Sequence, residues 1–185
     1  MSGSQGDSFG GGLMIWINGG FGAGKTTVAR ALVKRRPEML AFDAEQIGFL
    51  LRRAMPKENW VGDFQDFPLW RELTVRTIVG LRKQCGRSIV VPMSVTHTDY
   101  FEEVMSGLRE AGVAVRHFTL VASAETLKAR LRKRWSLPGS ERWAKAQIER
   151  CRTTLAGLQF EKHVATDGRK VEEIVDEILA GVAQD

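Results

Sequence analysis

Leu13-Met14-Ile15-Trp16-Ile17-Asn18-Gly19-Gly20-Phe21-Gly22-Ala23-Gly24-Lys25-Thr26 is the stretch on which the fold turns. Its first six residues are a short apolar run with β-branched members, which predicts a buried strand. The eight that follow match G-x-x-x-x-G-K-[ST] in full, and Lys25 to Arg36 reads as a helix that Pro37 closes. Strand, glycine-rich turn and helix in that order have a physical purpose. Glycines let the backbone curl so that successive N–H groups point inward, and the helix N-terminus adds partial positive charge, so the loop suits phosphate. Lys25 is then expected to neutralise β and γ oxygens, and the Thr26 hydroxyl to take a Mg²⁺ position. The rival dinucleotide pattern G-x-G-x-x-G fails, because Gly20 and Gly22 would need a glycine where Lys25 stands. ATP with Mg²⁺ is the ligand expected on Gly19, Gly20, Phe21, Gly22, Ala23, Gly24, Lys25 and Thr26.

Outward from this unit, strands and helices alternate. Met39 to Phe42 reads as a second strand, Asp43 as an N-cap and Ala44 to Arg53 as a helix. Met55 to Pro68 is irregular and aromatic, and Leu69 to Gln84 is helical again. Ser88 to Met93 is a third strand, and Asp99 with Glu102 resembles a capping box opening the next helix. A fourth strand spans Val113 to Val121. Ser123 caps a helix through Trp135, which Leu137, Pro138, Gly139 and Ser140 break before a helix from Glu141 to Leu158; the broken hairpin, about 130–152, reads as a lid. His163 to Thr166 is a last short strand, and Val171, Ile174, Val175, Ile178, Leu179 and Val182 form the apolar stripe of a closing helix. Parallel neighbours need helical crossovers. The expected fold is therefore α/β: a three-layer α/β/α P-loop NTPase with a parallel five-stranded sheet, helices on both faces and a helical lid. A single domain over 13–185 follows a glycine- and serine-rich tail, 1–12, that reads as disordered.

Composition narrows the functional classes. No apolar run approaches the roughly 18 residues that span a bilayer, and the first residues lack a signal-peptide pattern, so an integral membrane segment is not expected and a cytoplasmic location is. Cys85 and Cys151 lack metal-ligand spacing and read as ordinary thiols. The net charge of +5 could point to nucleic acid, but between Lys128 and Arg152 nine basic residues face only Glu141 and Glu149, leaving the remainder slightly acidic. A local cluster suits a compact triphosphate better than a duplex, which takes a broader stripe, so no nucleic-acid partner is expected.

Phosphoryl transfer also needs a carboxylate for the acceptor hydroxyl. Asp43, at the carboxyl end of the second strand, is the candidate, read as a helix cap, a catalytic base, or both. The third strand ends in Pro92-Met93-Ser94 without an acid of the Walker B kind, which argues against a motor ATPase. Asp43 is therefore also the candidate for the metal's water shell beside Thr26, with Ser94 as a further contact. Arg130 and Arg134, four apart on one helix face, can reach the same ligand. Arg52, Phe64, Trp70, Arg71 and His97, with Arg53, Trp60 and Asp63, are candidates for lining an acceptor pocket. Asp43 and Glu45 join them on the substrate side.

Several of these residues carry resemblances. Asp43-x-Glu45 resembles the Asp-x-Asp of shikimate-kinase-like enzymes and the single Asp of chloramphenicol phosphotransferases. Arg130-x-x-x-Arg134 resembles the lid entry of nucleoside monophosphate kinases, which implies one Arg against the adenine and one on phosphates. Thr27 matches a position that P-loop kinases commonly place near the α-phosphate, and Thr166 and Asp167 match their adenine-contacting loop. Ile15 through Thr26, with Phe67-Pro68-Leu69-Trp70-Arg71 and Ile89-Val90-Val91-Pro92-Met93, is similar to the ATP-binding tunicamycin resistance proteins. That resemblance implies an adenylate-kinase-like fold that binds ATP and is associated with resistance to a uridine-containing, lipid-linked antibiotic. The expected activity is an ATP-dependent phosphotransferase, catalysed by Lys25, Asp43, Arg130 and Arg134, acting on tunicamycin or a related nucleoside-like small molecule. The alternative is an ATP-dependent protein that sequesters the drug unchanged. A monomer or homodimer is expected.

Overall fold

The computed structural model describes residues 13–134, 140–160 and 162–184; for 133, 134, 140–147 and 158 it describes the backbone alone. The expected tail, the break at 135–139 and the side chain of Arg134 lie outside the described residues.

Strand β1, Leu13–Gly19, is buried along its whole length, and its alternation divides the interior in two. Leu13, Ile15 and Ile17 join one apolar cluster with Val28, Leu32, Leu127, Ile174 and Ile178, whereas Met14 and Trp16 join the other with Trp70, Ile78, Phe101, Val104 and Phe160. A strand apolar on both faces is what a parallel sheet covered on both sides requires. The sheet has five parallel strands in the order β2-β3-β1-β4-β5, as expected. Here β2 is Leu40–Ala41, β3 Ile89–Pro92, β4 Ala114–Val121 and β5 His163–Ala165.

Seven α-helices cover the sheet among the described residues: α1 Lys25–Arg35, α2 Glu45–Ala54, α3 Pro68–Cys85, α4 Thr98–Glu110, α5 Ala124–Arg134, α6 Ser140–Leu155 and α7 Val171–Ala183. Side chains of α1, α5 and α7 fill the first cluster and those of α2, α3 and α4 the second. Helix α6 contributes Ile148 to one and Cys151 with Leu155 to the other. The order puts β1 at the centre, so the loop after it opens at the middle of the carboxyl edge, where open α/β sheets bind ligands.

Three local expectations differ from what is found. Strand β2 shrinks to two residues, Leu40 and Ala41, in register with Ile89 and Val90 of β3, although the Phe42 N–H still donates to the Val90 carbonyl at 2.9 Å. The Asp99–Glu102 capping box is absent: α4 opens at Thr98 with His97 at its cap, and Glu102 instead accepts from Ser106 and Arg109. Helix α3 begins one residue earlier than expected, with Pro68 in the first turn, where a missing N–H costs nothing.

Candidate active site

The loop between β1 and α1 is fastened from below by Asn18. Its fully buried amide accepts from the Gly19 N–H at 2.8 Å and the Val95 N–H at 3.1 Å, and donates to the Val95 carbonyl at 2.9 Å. The end of β1 is thereby tied to the segment after β3. Gly22 and Gly24 adopt φ of 82° and 99°, the left-handed region that glycine enters without strain. Nothing lies within 4 Å of a Cβ built on Gly24, so conformation, not space, requires glycine there. Lys25 donates to the Gly19 and Gly20 carbonyls at 2.9 and 3.0 Å, and Ser94 Oγ donates to the same Gly19 carbonyl at 2.8 Å. Thr26 and Thr27 are exposed on the first turn of α1.

On one side of the loop lies a cleft of about 330 Å³, lined by residues 22–28, Arg130, Leu131, Thr166, Arg169, Val171 and Ile174. Arg130 forms one wall. It donates to Thr166 Oγ1 at 3.0 Å and the Thr166 carbonyl at 2.8 Å, with longer contacts to the Gly22 and Ala23 carbonyls. One guanidinium thus joins the phosphate loop to the segment after β5. Asp167 faces elsewhere, accepting from the Ser123 N–H and hydroxyl. Hydrogen bonds from Thr126 and Ser123 hold its carboxyl below the usual carboxylate range. Its carboxylate fastens the loop after β5 to the start of α5.

Helix α6 meets the loop through Cys151, which is 2% exposed. A Cβ on Gly20 would sit 3.3 Å from Cys151 Cβ, so the contact depends on the glycine. Burial pushes the Cys151 thiol up, against the opposing pull of Lys25 and Arg150, which leaves it protonated and unreactive at neutral pH. The helix also borders a cavity of about 560 Å³ shared with Gly20, Ala23, Ser123, Leu127 and Asp167.

On the opposite side stands Asp43. It is exposed, and accepts from the Glu45 N–H at 3.0 Å and from the Gln46 side chain at 3.4 Å. It therefore supports the first turn of α2 while leaving its carboxylate open to solvent. Asp43 follows β2, which stands two places from β1, so β3 lies between it and the loop along the carboxyl edge. Glu45 is exposed on the first turn of α2.

The acceptor-pocket expectations divide. Trp70 is fully buried and its indole N–H donates to the Ala44 carbonyl at 3.0 Å, so it is a core residue and lines no pocket. Arg71 is 8% exposed, donating to the Gln65 carbonyl and Glu103 with its guanidinium 4.2 Å from the Tyr100 ring centroid; its charge is spent inside the fold. Both departures have one cause: the aromatic and charged residues of 60–71 first close the gap between α2, α3 and α4. Phe64 lies on α2 at Gly48, where an added Cβ would come within 2.5 Å of its ring. Arg52 sits over Trp60 and Phe64 and donates to the Gly62 carbonyl, fastening this covering segment to α2. His97 is exposed and stacks on Tyr100 at 4.0 Å. Phe49, Leu50, Trp60 and Leu69 remain exposed along α2, the covering segment and the start of α3.

For Mg²⁺ the donors are sparse: among the described residues no three His, Cys, Asp or Glu gather. Of the residues expected to hold the metal, Thr26 is exposed on the first turn of α1 and the Asp43 carboxylate is exposed at the sheet edge.

A family model described as an AAA domain matches residues 14–158 of this chain. The chain belongs to that AAA-domain family. Among solved structures it is similar to the tunicamycin resistance protein of Deinococcus radiodurans, with 30% identity and a TM-score of 0.76 over 92% of this chain and 95% of that one. A gluconokinase from Sinorhizobium meliloti 1021 matches at 18% identity and TM-score 0.66, over 94% and 93% of the two chains. The APS kinase of Mycobacterium tuberculosis matches at 15% and 0.61, over 93% and 98%. These last two show the fold alone. No curated protein sequence matches significantly. The family match and the likeness to the tunicamycin resistance protein make this a P-loop, kinase-like, nucleotide-binding domain.

Four residues that organise the family's loop here carry no motif. Gln65 donates to the Ser94 carbonyl at 2.9 Å, Ser94 supports Gly19, Cys151 props Gly20, and Arg169 borders the cleft. Only Ser94 had a sequence signal, as the residue standing where an acid was missing.

Proposed function

We propose that this protein transfers the γ-phosphoryl group of ATP to a hydroxyl of a small molecule, tunicamycin or a related nucleoside-like compound. The observation that carries this reading is the arrangement at the sheet edge: a lysine-bearing phosphate loop after β1 and, after a strand two places away along the same edge, a carboxylate open to solvent. Thirty per cent identity across nearly the whole length of a tunicamycin resistance protein supports the acceptor class. Exposed apolar side chains at Phe49, Leu50, Trp60 and Leu69, beyond Asp43, give such an acceptor a surface to lie on.

In this reading the triphosphate lies on the loop with its base in the cleft beside Arg130. Lys25 exchanges the Gly19 and Gly20 carbonyls for β and γ oxygens, where its charge counts most as negative charge redistributes. Thr26 would hold Mg²⁺ beside the phosphates, with Asp43 toward its water shell, and the ion would supply further neutralisation of the phosphate oxygens. Asp43 orients the acceptor hydroxyl and takes its proton as the acceptor oxygen bonds to phosphorus; the bond to the β–γ bridging oxygen breaks and ADP leaves. Arg130 fixes the loop against the segment after β5, and Arg134, one turn on, is the second cation of the lid.

Mass spectrometry of tunicamycin incubated with the protein, ATP and Mg²⁺ tests the proposal. A product heavier by one phosphoryl group is expected. Drug that is bound yet unchanged in mass, with no ADP formed, would overturn transfer in favour of sequestration.

A further inference from the structure

Strand β1 keeps its register with β4 to the end, pairing Asn18 with Thr119 and Gly19 with Leu120, but its register with β3 stops at Ile17 and Pro92. One backbone bond follows on that side, from the Met93 N–H to the Ile17 carbonyl at 3.1 Å. Beyond it, side chains continue the ladder. The Asn18 amide takes both backbone groups of Val95, accepting from its N–H and donating to its carbonyl. The Ser94 hydroxyl reciprocates by donating to the Gly19 carbonyl. Residues 18–19 and 94–95 thus hold each other in a clasp. Asn18 and Val95 are 0% exposed, so these groups must find their partners within the protein.

The clasp engages Gly19 at both of its polar groups. Its N–H donates to Asn18 Oδ1 at 2.8 Å, and its carbonyl accepts from Ser94 and from Lys25. Asparagine suits this place because one short, neutral side chain accepts twice and donates once. An ionised aspartate would accept without donating. Alanine would leave the Gly19 N–H and both Val95 groups unpaired where water does not reach. We infer that Asn18 is a positioning residue of the nucleotide site: it holds Gly19, and through the Gly19 carbonyl the resting place of Lys25, in the pose from which the loop receives a triphosphate. The inference rests on the proposed nucleotide reading and adds to it a residue outside the motif, which begins at Gly19. A bond that served the fold alone would cost stability when cut; a positioning bond costs nucleotide affinity in protein that is still folded.

The test is calorimetric titration with Mg·ATP of the full chain, of Asn18→Ala and Asn18→Asp, and of Ile78→Ala, a truncation in the apolar cluster on α3 that supplies a destabilised control. Circular dichroism and melting curves establish that each protein is folded at the titration temperature. Both Asn18 variants should bind at least fivefold more weakly than the unaltered protein, and Ile78→Ala less than fivefold more weakly. Folded Asn18 variants that stay within fivefold would overturn the inference and leave the nucleotide reading intact. So would an equal loss in Ile78→Ala, which would trace the effect to stability, or a loss confined to Asn18→Asp, which would trace it to a buried charge beneath the triphosphate. If Asn18→Ala does not fold, hydrogen exchange in the unaltered protein decides. The Gly19 and Val95 amides should be protected about 10³-fold or more both with and without Mg·ATP, and lesser protection at Gly19 in either state would overturn the inference. An unaltered protein that binds no Mg·ATP would overturn the nucleotide reading and the inference together.

Discussion

The two sides of the sheet edge are built on different principles. On the nucleotide side, residues 19–26 are contiguous, and their glycines and single lysine carry the chemistry through backbone conformation. On the side proposed for the acceptor, Asp43, Arg52, Phe64 and Arg71 come from separate elements, and several of their polar groups are used to close the fold. The first region is specified locally and the second by packing. A local device should fail in chemistry when altered, and a packed one in stability.

The sharpest break of this kind is Lys25→Ala. The ammonium rests on two backbone carbonyls, one of which also accepts from Ser94, so its loss leaves the loop held by Asn18 and Ser94. Loss of about 10³-fold in turnover is expected, with thermal stability changed little. Steady-state kinetics beside a melting curve would check this, and a large fall in melting temperature with turnover retained would place Lys25 in the packed class. Asp43→Asn is the acceptor-side counterpart in chemistry. Because the side chain still accepts from the Glu45 N–H through its remaining carbonyl oxygen, α2 should stay formed while transfer falls by about 10²-fold. Unchanged transfer with unchanged nucleotide affinity would remove the base assignment.

This contrast also explains what could be read in advance. Continuous apolar runs such as 13–17 and 89–93 made the parallel sheet and both covering layers legible, since a strand buried on both faces has few other homes. The phosphate loop was legible because its function is contained in eight consecutive residues. Trp70 and Arg71 were not: an aromatic beside a cation looks the same in a sequence whether it faces a substrate or, as here, Ala44 and Glu103. Cys151 escaped for a related reason, because its role is to touch Gly20 from 131 residues further along the chain. Distances of that kind leave no periodic trace.

Gly48→Ala probes packing on the acceptor side alone. The new Cβ would meet the Phe64 ring at 2.5 Å, so the ring must leave α2, and with it the Arg52 contact that holds the covering segment. Overpacking of this size costs about 2 kcal/mol, read as a lower midpoint in urea unfolding. Nucleotide affinity should be preserved. A weaker Kd for Mg·ATP with unaltered stability would show that the covering segment belongs to the nucleotide side after all.

The smallest effects are expected at the seam, where one residue serves both regions. Ser94 supports Gly19 through its hydroxyl and receives Gln65 through its carbonyl, so its two halves can be cut separately. Ser94→Ala removes only the hydroxyl. Gly19 then holds Lys25 alone, stability falls by about 1 kcal/mol, and the KM for ATP rises by less than about fivefold while the acceptor KM stays constant. Gln65→Ala removes only the bond on the other side, where Arg71 still grips the Gln65 backbone carbonyl, and should move the acceptor KM by a similar factor while leaving that for ATP in place. If either variant moved both constants together, the seam would be a coupling element, because a change confined to one region would be felt in the other through Ser94. Constants that separate cleanly mean that the acceptor surface can diverge around an unchanged phosphate loop, which is how one P-loop kinase-like fold can carry several acceptors.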